Sequence, residues 1–415
     1  MIDTLPASRT RQPGRGTLRA LDAANFFLAD VRDGLGPYLA IYLLTTLHWD
    51  AQNIGIAMSV MGIATVAAQT PAGALVDRTR YKRLFSVVAS LLIASAALLT
   101  ISFPVYGVII GGQVAMGVAA AWFTPAVAAI TLGIVGPKAL DGRVGRNETF
   151  NHAGNVFAAL LAGLIGYYVS SAGIFVLLSV MSLISSFSIW QIQEKDIDHE
   201  LARGCPDETG DYNDAEDKPS GWRAVFGNRS ILFFALACVL FHFANAAMLP
   251  LLGQRLAQGI DAGTSSAYMS ACIIVAQVVM IPVSHWAGKL APSGRKRLLL
   301  IAFAVLPVRG LLYTLTNDPT LLVAIQVLDG VGAGIFGVLS ILVVSDLTRG
   351  SGLFNTTQGA IATAVGLGAS LSNAFAGGIL QRSNYNTAFL VLAGIAVAAV
   401  AVLWFFVPET VDKTA

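Results

Sequence analysis

The chain has 415 residues, of which 55% are hydrophobic and only 12% are charged. Soluble globular domains carry about 25% charged residues, so this composition excludes an ordinary soluble protein and predicts an integral membrane protein. The formal net charge of +2 at pH 7 gives no sign of a nucleic-acid partner. The three cysteines form no disulfide framework and have no metal-ligand spacing.

Residues 1–18 come first in chain order. They contain Arg9, Arg11 and Pro13 but no apolar core, which predicts a disordered cytoplasmic tail and not a secretory signal. A helix needs about 20 mostly apolar residues to cross the hydrocarbon core of a bilayer. The sequence contains twelve such segments, the predicted spans 1–12: 19–47, 51–76, 84–102, 104–134, 147–169, 173–192, 230–256, 264–290, 298–316, 319–346, 356–380 and 386–407.

The predicted spans form two groups. Spans 1–6 occupy 19–192 and spans 7–12 occupy 230–407, while the acidic segment 193–229 predicts a flexible cytoplasmic linker and 408–415 a cytoplasmic tail. Features of the first group recur in the second at an almost constant offset: Gln113 with Gln326, Pro37 with Pro250, and Lys82 with Lys296. This duplication predicts an all-α membrane fold of two pseudo-symmetric six-helix bundles, related by an axis along the membrane normal.

The distribution of basic residues predicts the orientation. Almost all of the 26 Lys and Arg residues fall on the side of the predicted spans that carries both termini, whereas Arg255 and Arg382 fall on the other side. Because basic loops stay in the cytoplasm, we expect both termini to be cytoplasmic.

The loop after span 2 reads Gly73-Ala74-Leu75-Val76-Asp77-Arg78-Thr79-Arg80-Tyr81-Lys82-Arg83. It resembles the signature Gly-x-x-x-Asp-Arg-x-Gly-Arg-Lys of the major facilitator superfamily, although Arg80 and Tyr81 replace the second Gly and the following Arg. In the second half, Gly294 to Arg297 keep the end of the motif, and Ala291 and Pro292 replace its Asp-Arg. The resemblance covers nearly the whole chain.

The resemblance implies a rocker-switch secondary transporter whose spans 1, 4, 7 and 10 line a central cavity. It also implies a cytoplasmic gate of Gly73, Asp77 and Arg78, in which Asp77 pairs near the start of span 11. The alternative is that Asp77 and Arg78 only cap span 2. Proton-driven drug antiporters of this superfamily carry Arg where Gln113 stands and a Gly-Pro signature that span 5 lacks, so their mechanism does not carry over.

Charged residues lie inside several predicted spans. A charge at the bilayer centre costs about 2.5–3.5 kcal/mol on insertion scales, so each one calls for a reason. Asp30, Arg32 and Asp33 lie near the middle of span 1 and Asp329 near the middle of span 10. Arg309 lies mid-way along span 9, and we expect it to form a structural ion pair with an acid such as Asp329.

These positions give a candidate site. A carboxylate in a low-dielectric site can take a proton near neutral pH, so Asp30, Asp33 and Asp329 are candidates for proton coupling. The candidates for the substrate cavity are Arg32, Gln113, His152, Asn155, His242, Asn245 and Gln326. Alternatives stay open: the charges can be structural ion pairs between helices, His242 a packing residue, and His152 a hydrated residue near the cytoplasmic end.

The sequence therefore predicts a transporter that moves a small polar or amphiphilic solute by alternating access, with proton-coupled export favoured. Uptake by proton symport is the alternative, and a non-transporting membrane sensor is a third interpretation. No Ser/His/Asp order, metal cluster or cofactor loop is visible, so we expect neither an enzyme nor a cofactor. We expect a monomer in the inner membrane of a bacterium, with protons, a small-molecule substrate and the lipid bilayer as partners.

Overall fold

The structure is a computed structural model that describes residues 13–33, 35–199, 201–203, 227–258, 260–348 and 354–411. These residues form α-helices joined by short turns, and they contain no strand. Ten stretches in this part of the chain are long and apolar enough to cross a membrane. They correspond to ten of the twelve predicted spans; spans 1 and 5 differ because they carry more polar side chains.

The first half contains six helices in chain order. They are α1 (Arg15–Asp33), α2 (Gly36–Thr45), α3 (Ala51–Arg78), α4 (Lys82–Ser102), α5 (Tyr106–Tyr168) and α6 (Ser171–Gln191). Helix α5 contains spans 4 and 5, and it bends at Gly136, where φ is 69° and ψ is 173°. The positive φ suits a residue without Cβ. The connection between spans 4 and 5 is therefore helical around a kink, and not the loop that the sequence suggested.

The second half contains eight helices in the described residues. They are α7 (Arg229–Ala246), α8 (Met248–Leu256), α9 (Ala262–Leu290), α10 (Arg295–Leu315), α11 (Pro319–Ala324), α12 (Gln326–Leu347), α13 (Phe354–Arg382) and α14 (Tyr385–Phe406). Span 7 is divided into α7 and α8, and span 10 into α11 and α12.

Three spans are thus broken. Span 1 is interrupted between α1 and α2, where Gly36 has a φ of 45° and Pro37 occupies the first turn of α2. In span 7 the N–H of Ala247 donates to Ser372 Oγ of α13 at 3.0 Å. A broken helix must find new partners for its backbone groups inside a membrane, and Ser372 supplies one.

The structure differs from the predicted boundaries of the N-terminal tail. Helix α1 begins at Arg15, and Thr17 is fully buried because its hydroxyl donates to Asp196 at 2.5 Å. The predicted disordered tail therefore contains the first helical residues, and residues 1–12 lie outside the described part.

The linker also differs. Glu194–Asp196 and Leu201–Arg203 form two short 3-10 turns. Ile197 and Ala202 are buried, and Asp198 N donates to Gly133 O at 2.9 Å. The start of the predicted linker is therefore packed against the first half, because its apolar side chains cover the end of span 4. Residues 204–226 of the linker and 412–415 of the C-terminal tail lie outside the described residues.

One hydrogen bond occurs at the equivalent place in both halves, between the start of one helix and the end of the last helix. Arg83 at the start of α4 donates to Trp190 O at 2.6 Å, and Lys296 at the start of α10 donates to Trp404 O at 2.7 Å. Arg83 also pairs with Glu194 at 2.8 Å. The contact ties the last helix of each half to the helix that follows the family motif.

The two halves meet at one end. There α3 packs against α13, α5 against α9, and α2 against α8. A Cβ at Gly62 of α3 would lie 2.6 Å from Ser370 Oγ of α13. At the opposite end of the same helices, a Cβ at Gly73 or Gly359 would meet no atom within 4 Å. We call these the closed end and the open end; the last turn of α3, which carries Asp77, lies at the open end and is helical where the sequence suggested a loop.

Candidate functional site

Arg309 forms the centre of a polar cluster in the second half. It is 2% exposed, and its guanidinium donates to the Asp329 carboxylate and to Asn245 Oδ1. Its Nη2 also lies 3.4 Å from Met248 Sδ. The structure thus places Arg309 beside Asp329, the acid that the sequence analysis suggested as its partner because an isolated charge in a membrane span is costly. We refer to Arg309, Asp329, Asn245 and Met248 as the Arg309 cluster.

The Arg309 cluster connects three spans at two breaks. Asn245 lies in the last turn of α7, and Met248 is the first residue of α8. Asp329 lies in the first turn of α12, directly after the break in span 10. One side chain from α10 therefore holds both interrupted helices together.

A cavity of about 110 Å³ adjoins this cluster. Its lining includes Asn245, Arg309 and Asp329 together with His242 and aromatic rings. His242 Nε2 is buried and has no hydrogen-bond partner among the described residues, and the His242 ring packs edge-on against Phe336 with centroids 4.9 Å apart. A buried polar atom without a partner is costly, so a packing role for His242 alone would leave its Nε2 unsatisfied by the described residues.

A larger cavity of about 290 Å³, the N-half cavity, lies between α1 and the two arms of α5. Its polar lining residues are Asn25, Arg32, Thr124, Thr131, Asn147, Glu148 and Asn151. Arg32 Nη2 donates to Asn151 Oδ1 at 3.3 Å, and Asn151 Nδ2 donates to Glu148 Oε2 at 3.4 Å. These three residues form a row of alternating charge and amide, which we call the Arg32 row.

A buried network lies beside the N-half cavity. Arg143 pairs with Asp22 at 2.6 Å and donates to Asn147 Oδ1 at 2.9 Å. Asn147 Nδ2 donates in turn to Thr131 Oγ1 at 3.0 Å, and these four residues are at most 7% exposed. The exposed Arg146 adds a second contact to Asp22 at 2.7 Å. The network joins α1 to both arms of α5.

Sequence reasoning missed this network as a unit. Asp22 and Asn25 follow the helical spacing of a polar stripe on span 1, which was a usable signal. Arg143 gave no such sequence signal, because it stands among basic residues that are typical of a cytoplasmic loop.

The remaining candidates lie in different surroundings. Gln113 and Gln326 are buried between helices, where Gln326 donates to Tyr313 OH at 2.8 Å, and neither lines the two cavities. His152 Nδ1 lies 3.2 Å from Gln277 Oε1 of α9 and so connects the two halves. Asn155 is half-buried one turn further along α5.

The gate and coupling candidates of the first half lie on α1 and α3. Asp30 is half-buried on α1, and Arg78 is exposed at the end of α3. The side chains of Asp33 and Asp77 and the residues 349–353 before α13 lie outside the described part. The predicted contact of Asp77 with the start of span 11 therefore stays a prediction.

Comparison with known proteins gives a consistent family. The model of the Major Facilitator Superfamily matches residues 21–362 and 293–415. The uncharacterized MFS-type transporter Rv2456c of Mycobacterium tuberculosis (strain ATCC 25618 / H37Rv) is 48% identical over 397 residues, which cover 95% of this chain and 94% of that protein. The uncharacterized MFS-type transporter MT2531 of strain CDC 1551 / Oshkosh matches to the same extent.

Solved structures agree in fold. A point mutant of the nucleoside transporter NupG superposes with a TM-score of 0.78 at 16% identity, covering 94% of this chain and 100% of that chain. A bacterial homolog of the human lysosomal transporter Spinster, in an inward-facing and unoccupied conformation, gives a TM-score of 0.73 at 14% identity and covers 94% and 95%. The predicted all-α fold, with twelve spans in two pseudo-symmetric bundles, is confirmed.

Proposed function

The chain belongs to the major facilitator superfamily, a multi-pass membrane family that transports solutes, and on that premise we propose that it moves a small polar or amphiphilic solute by proton-coupled alternating access. The observation that carries this proposal is the contact pattern of the two halves. They are packed together at the closed end, whereas among the described residues of the open end a Cβ at Gly73 or Gly359 would meet no atom within 4 Å. Access from the open end to the N-half cavity is what one extreme of such a cycle requires.

The orientation follows from charge. The open end carries Arg78, Arg80 and Lys82 at the connection between α3 and α4, and basic connections remain in the cytoplasm. On this assignment both termini are cytoplasmic and the conformation is open to the cytoplasm. The reverse conformation would separate α3 from α13 near Gly62 and bring them together near Gly73.

Asp329 is the coupling carboxylate that the contacts favour. Asp329 is half-buried and paired with the buried Arg309, and a proton on Asp329 would remove the Coulomb attraction that joins α12 to α10. The remaining contacts of Arg309 in the cluster would then be those with Asn245 and Met248. Protonation would thus loosen the two broken spans, 7 and 10, at the same time. Asp30 and Asp33 on α1 are the further coupling candidates.

Export is the proposed direction, because the motif most resembles general bacterial efflux members. Uptake by proton symport is the second candidate, since Gln113 and the proline-free span 5 depart from the proton-driven drug antiporters.

Spin-label distances test the coupling without a known solute. Labels replace Leu75, which is 46% exposed, and Gly359, in a protein whose three native cysteines are substituted by alanine. In lipid nanodiscs, we expect acidification to shift the distance distribution, and Asp329→Asn to hold one distribution at all pH values. Asp261→Asn is the matched control, because Asp261 caps α9 outside the spans and asparagine caps equally well.

An Asp329→Asn protein that still responds to pH like the parent would refute the role of Asp329. Direction is then read in proteoliposomes, with a solute found by thermal-shift screening and a proton gradient of either sign. Solute movement opposite to the flow of protons indicates antiport, and movement in the same direction indicates symport.

A further inference from the structure

The N-half cavity has the size of a small metabolite. Its volume of about 290 Å³ corresponds to about ten water molecules at the liquid volume of ~30 Å³ each. The lining combines apolar side chains, among them Leu28, Phe123 and Val127, with the Arg32 row and other polar residues. The cavity therefore offers polar groups for a head group and apolar surface for a short side chain.

The Arg32 row has a fixed polarity. The oxygen of the Asn151 amide faces the Arg32 guanidinium, and its nitrogen faces the Glu148 carboxylate. The amide thus imitates, without charge, a ligand that has a negative oxygen and a positive nitrogen a few ångströms apart. Both hydrogen bonds are longer than the usual 2.9–3.0 Å, so a charged ligand that makes shorter bonds would replace them favourably.

From this polarity we propose that the N-half cavity binds the zwitterionic head group of an amino-acid-sized solute, with its carboxylate at Arg32 and its ammonium at Glu148. The inference rests on the proposed transport function and names its substrate class.

Single charges fit the row less well. A ligand with only a carboxylate would lie close to the like charge of Glu148, and a ligand with only an ammonium group would lie close to Arg32. A zwitterion places an opposite charge beside each of the two residues, whereas each single-charge ligand meets one like charge, which selects against the other two classes.

The surrounding network keeps the row in place. The buried contacts among Asp22, Arg143, Asn147 and Thr131 use the polar groups of these residues inside the protein. Asn147 lies on α5 one turn from Asn151 and next to Glu148. The network therefore positions the α5 part of the row, and Arg32, Asn151 and Glu148 are the groups that face a ligand.

Equilibrium binding to the purified full-length protein in nanodiscs tests the proposal. The probes are L-alanine, L-leucine and L-phenylalanine, each with its deaminated acid (propionate, 4-methylpentanoate, 3-phenylpropionate) and its decarboxylated amine (ethylamine, 3-methylbutylamine, 2-phenylethylamine). Binding raises apparent thermal stability and so gives Kd without a transport assay. We expect at least one zwitterion to bind at least tenfold more tightly than both of its single-charge analogues.

Two variants assign the charges. Arg32→Gln should remove the preference of the protein for the zwitterion over the amine, and Glu148→Gln should remove the preference for the zwitterion over the acid. Arg382→Gln is the control, because Arg382 is exposed at the far end of α13. Glu148 is exposed, so its variant keeps the assignment testable even if Arg32→Gln fails to fold.

The proposal is overturned if none of the three zwitterions reaches this tenfold preference at concentrations up to 10 mM, or if both variants keep the preferences of the parent. Asp329→Asn separates this result from the proposed function. In the variant, retained zwitterion binding without a pH-driven distance change supports both proposals. A parent protein that responds normally to pH but binds no zwitterion refutes only the substrate class.

Discussion

At the scale of single residues, the Arg309–Asp329 pair can be structural, functional or both. Removing one partner of a buried ion pair leaves an uncompensated charge and typically costs about 3–5 kcal/mol, whereas replacing both partners by apolar residues is often neutral. Arg309 is buried between three spans and Asp329 is half-buried beside it, so the rule applies most fully to the loss of Asp329, which leaves the buried charge of Arg309 uncompensated.

We therefore expect Arg309→Met and Asp329→Leu each to lower the free energy of unfolding by about 3 kcal/mol or more, and the double variant to recover most of the loss. Denaturant unfolding in mixed micelles measures the three values. The double variant should nevertheless lose the pH-driven distance change, because no carboxylate remains to bind the proton. Additive losses in the double variant would contradict the interpretation that the two residues form one energetic unit.

The same scale shows what the sequence could and could not predict about the site. The contact between Arg309 and an acid followed from the cost of a lone charge in the membrane, which acts whatever the details of packing. The Arg143–Asp22 pair was hidden, because Arg143 is accessible to sequence reasoning only as one more basic residue of a cytoplasmic segment. The Arg32 row depends on how α1 lies against α5, and helical spacing on one span does not contain that information.

At the scale of helices, the close approach of α3 and α13 depends on residues without side chains. A Cβ at Gly55 would collide with the carbonyl oxygen of Asn373, which is backbone and cannot rotate away. We expect Gly55→Leu to separate the closed end, lower the midpoint of thermal unfolding and shorten the distance between labels at Leu75 and Gly359.

Gly73→Leu on the same helix is the matched comparison. Its Cβ would meet no atom within 4 Å, so the thermal stability of the resting protein should stay close to that of the parent. The added side chain should instead obstruct closure of the open end, and transport should fall. Equal destabilisation by the two substitutions would contradict the assignment of the closed and open ends.

A second prediction at this scale concerns the start of α10. Glu409 accepts hydrogen bonds from the backbone N–H groups of Arg295 and Lys296 at 3.0 and 3.2 Å. Partial burial alone would raise the pKa of Glu409, but the backbone hydrogen bonds from Val411, Arg295 and Lys296 outweigh it and hold the pKa below the usual value of 4.5.

A pKa that is lower in the folded than in the unfolded state means that the ionised Glu409 stabilises the fold. This contribution is complete above pH 4.5 and is lost as the pH falls through the lower, folded-state pKa. Glu409→Gln should therefore be less stable than the parent at neutral pH, and the difference in unfolding midpoint should narrow below pH 4.5. A difference that is constant across this range would show that the charge of Glu409 plays no part.

The helix pattern itself was predictable, and the breaks in it were only partly so. Apolar segments of about 20 residues give the spans by length alone. The break in span 1 had a signal in Gly36 and Pro37. The break at Ile325 in span 10 has neither glycine nor proline beside it. The break lies one turn before Asp329, which contacts Arg309, and neither neighbouring residue type predicts it.

At the scale of the whole molecule, the duplicated halves serve different purposes. The first half holds the N-half cavity with both signs of charge, and the second half holds a buried ion pair between broken helices. Their common axis allows each half to move as a unit about the closed end. A solute bound in the first half and a proton bound in the second can then influence each other only through the contacts that join the halves.

Those contacts lead to a prediction about the complete transport cycle. A Cβ at Gly62 would lie 3.1 Å from Ser370 Cβ, close to the 3.5–4.5 Å that a disulfide requires. In a background without native cysteines, Gly62→Cys with Ser370→Cys should therefore form a disulfide readily on oxidation. Because the closed end can no longer separate, transport should stop and should return on reduction.

Gly73→Cys with Gly359→Cys is the control pair, and it should cross-link far more slowly because the open end holds these positions apart. Full transport by the oxidised Gly62–Ser370 protein would show that the closed end does not open during the cycle.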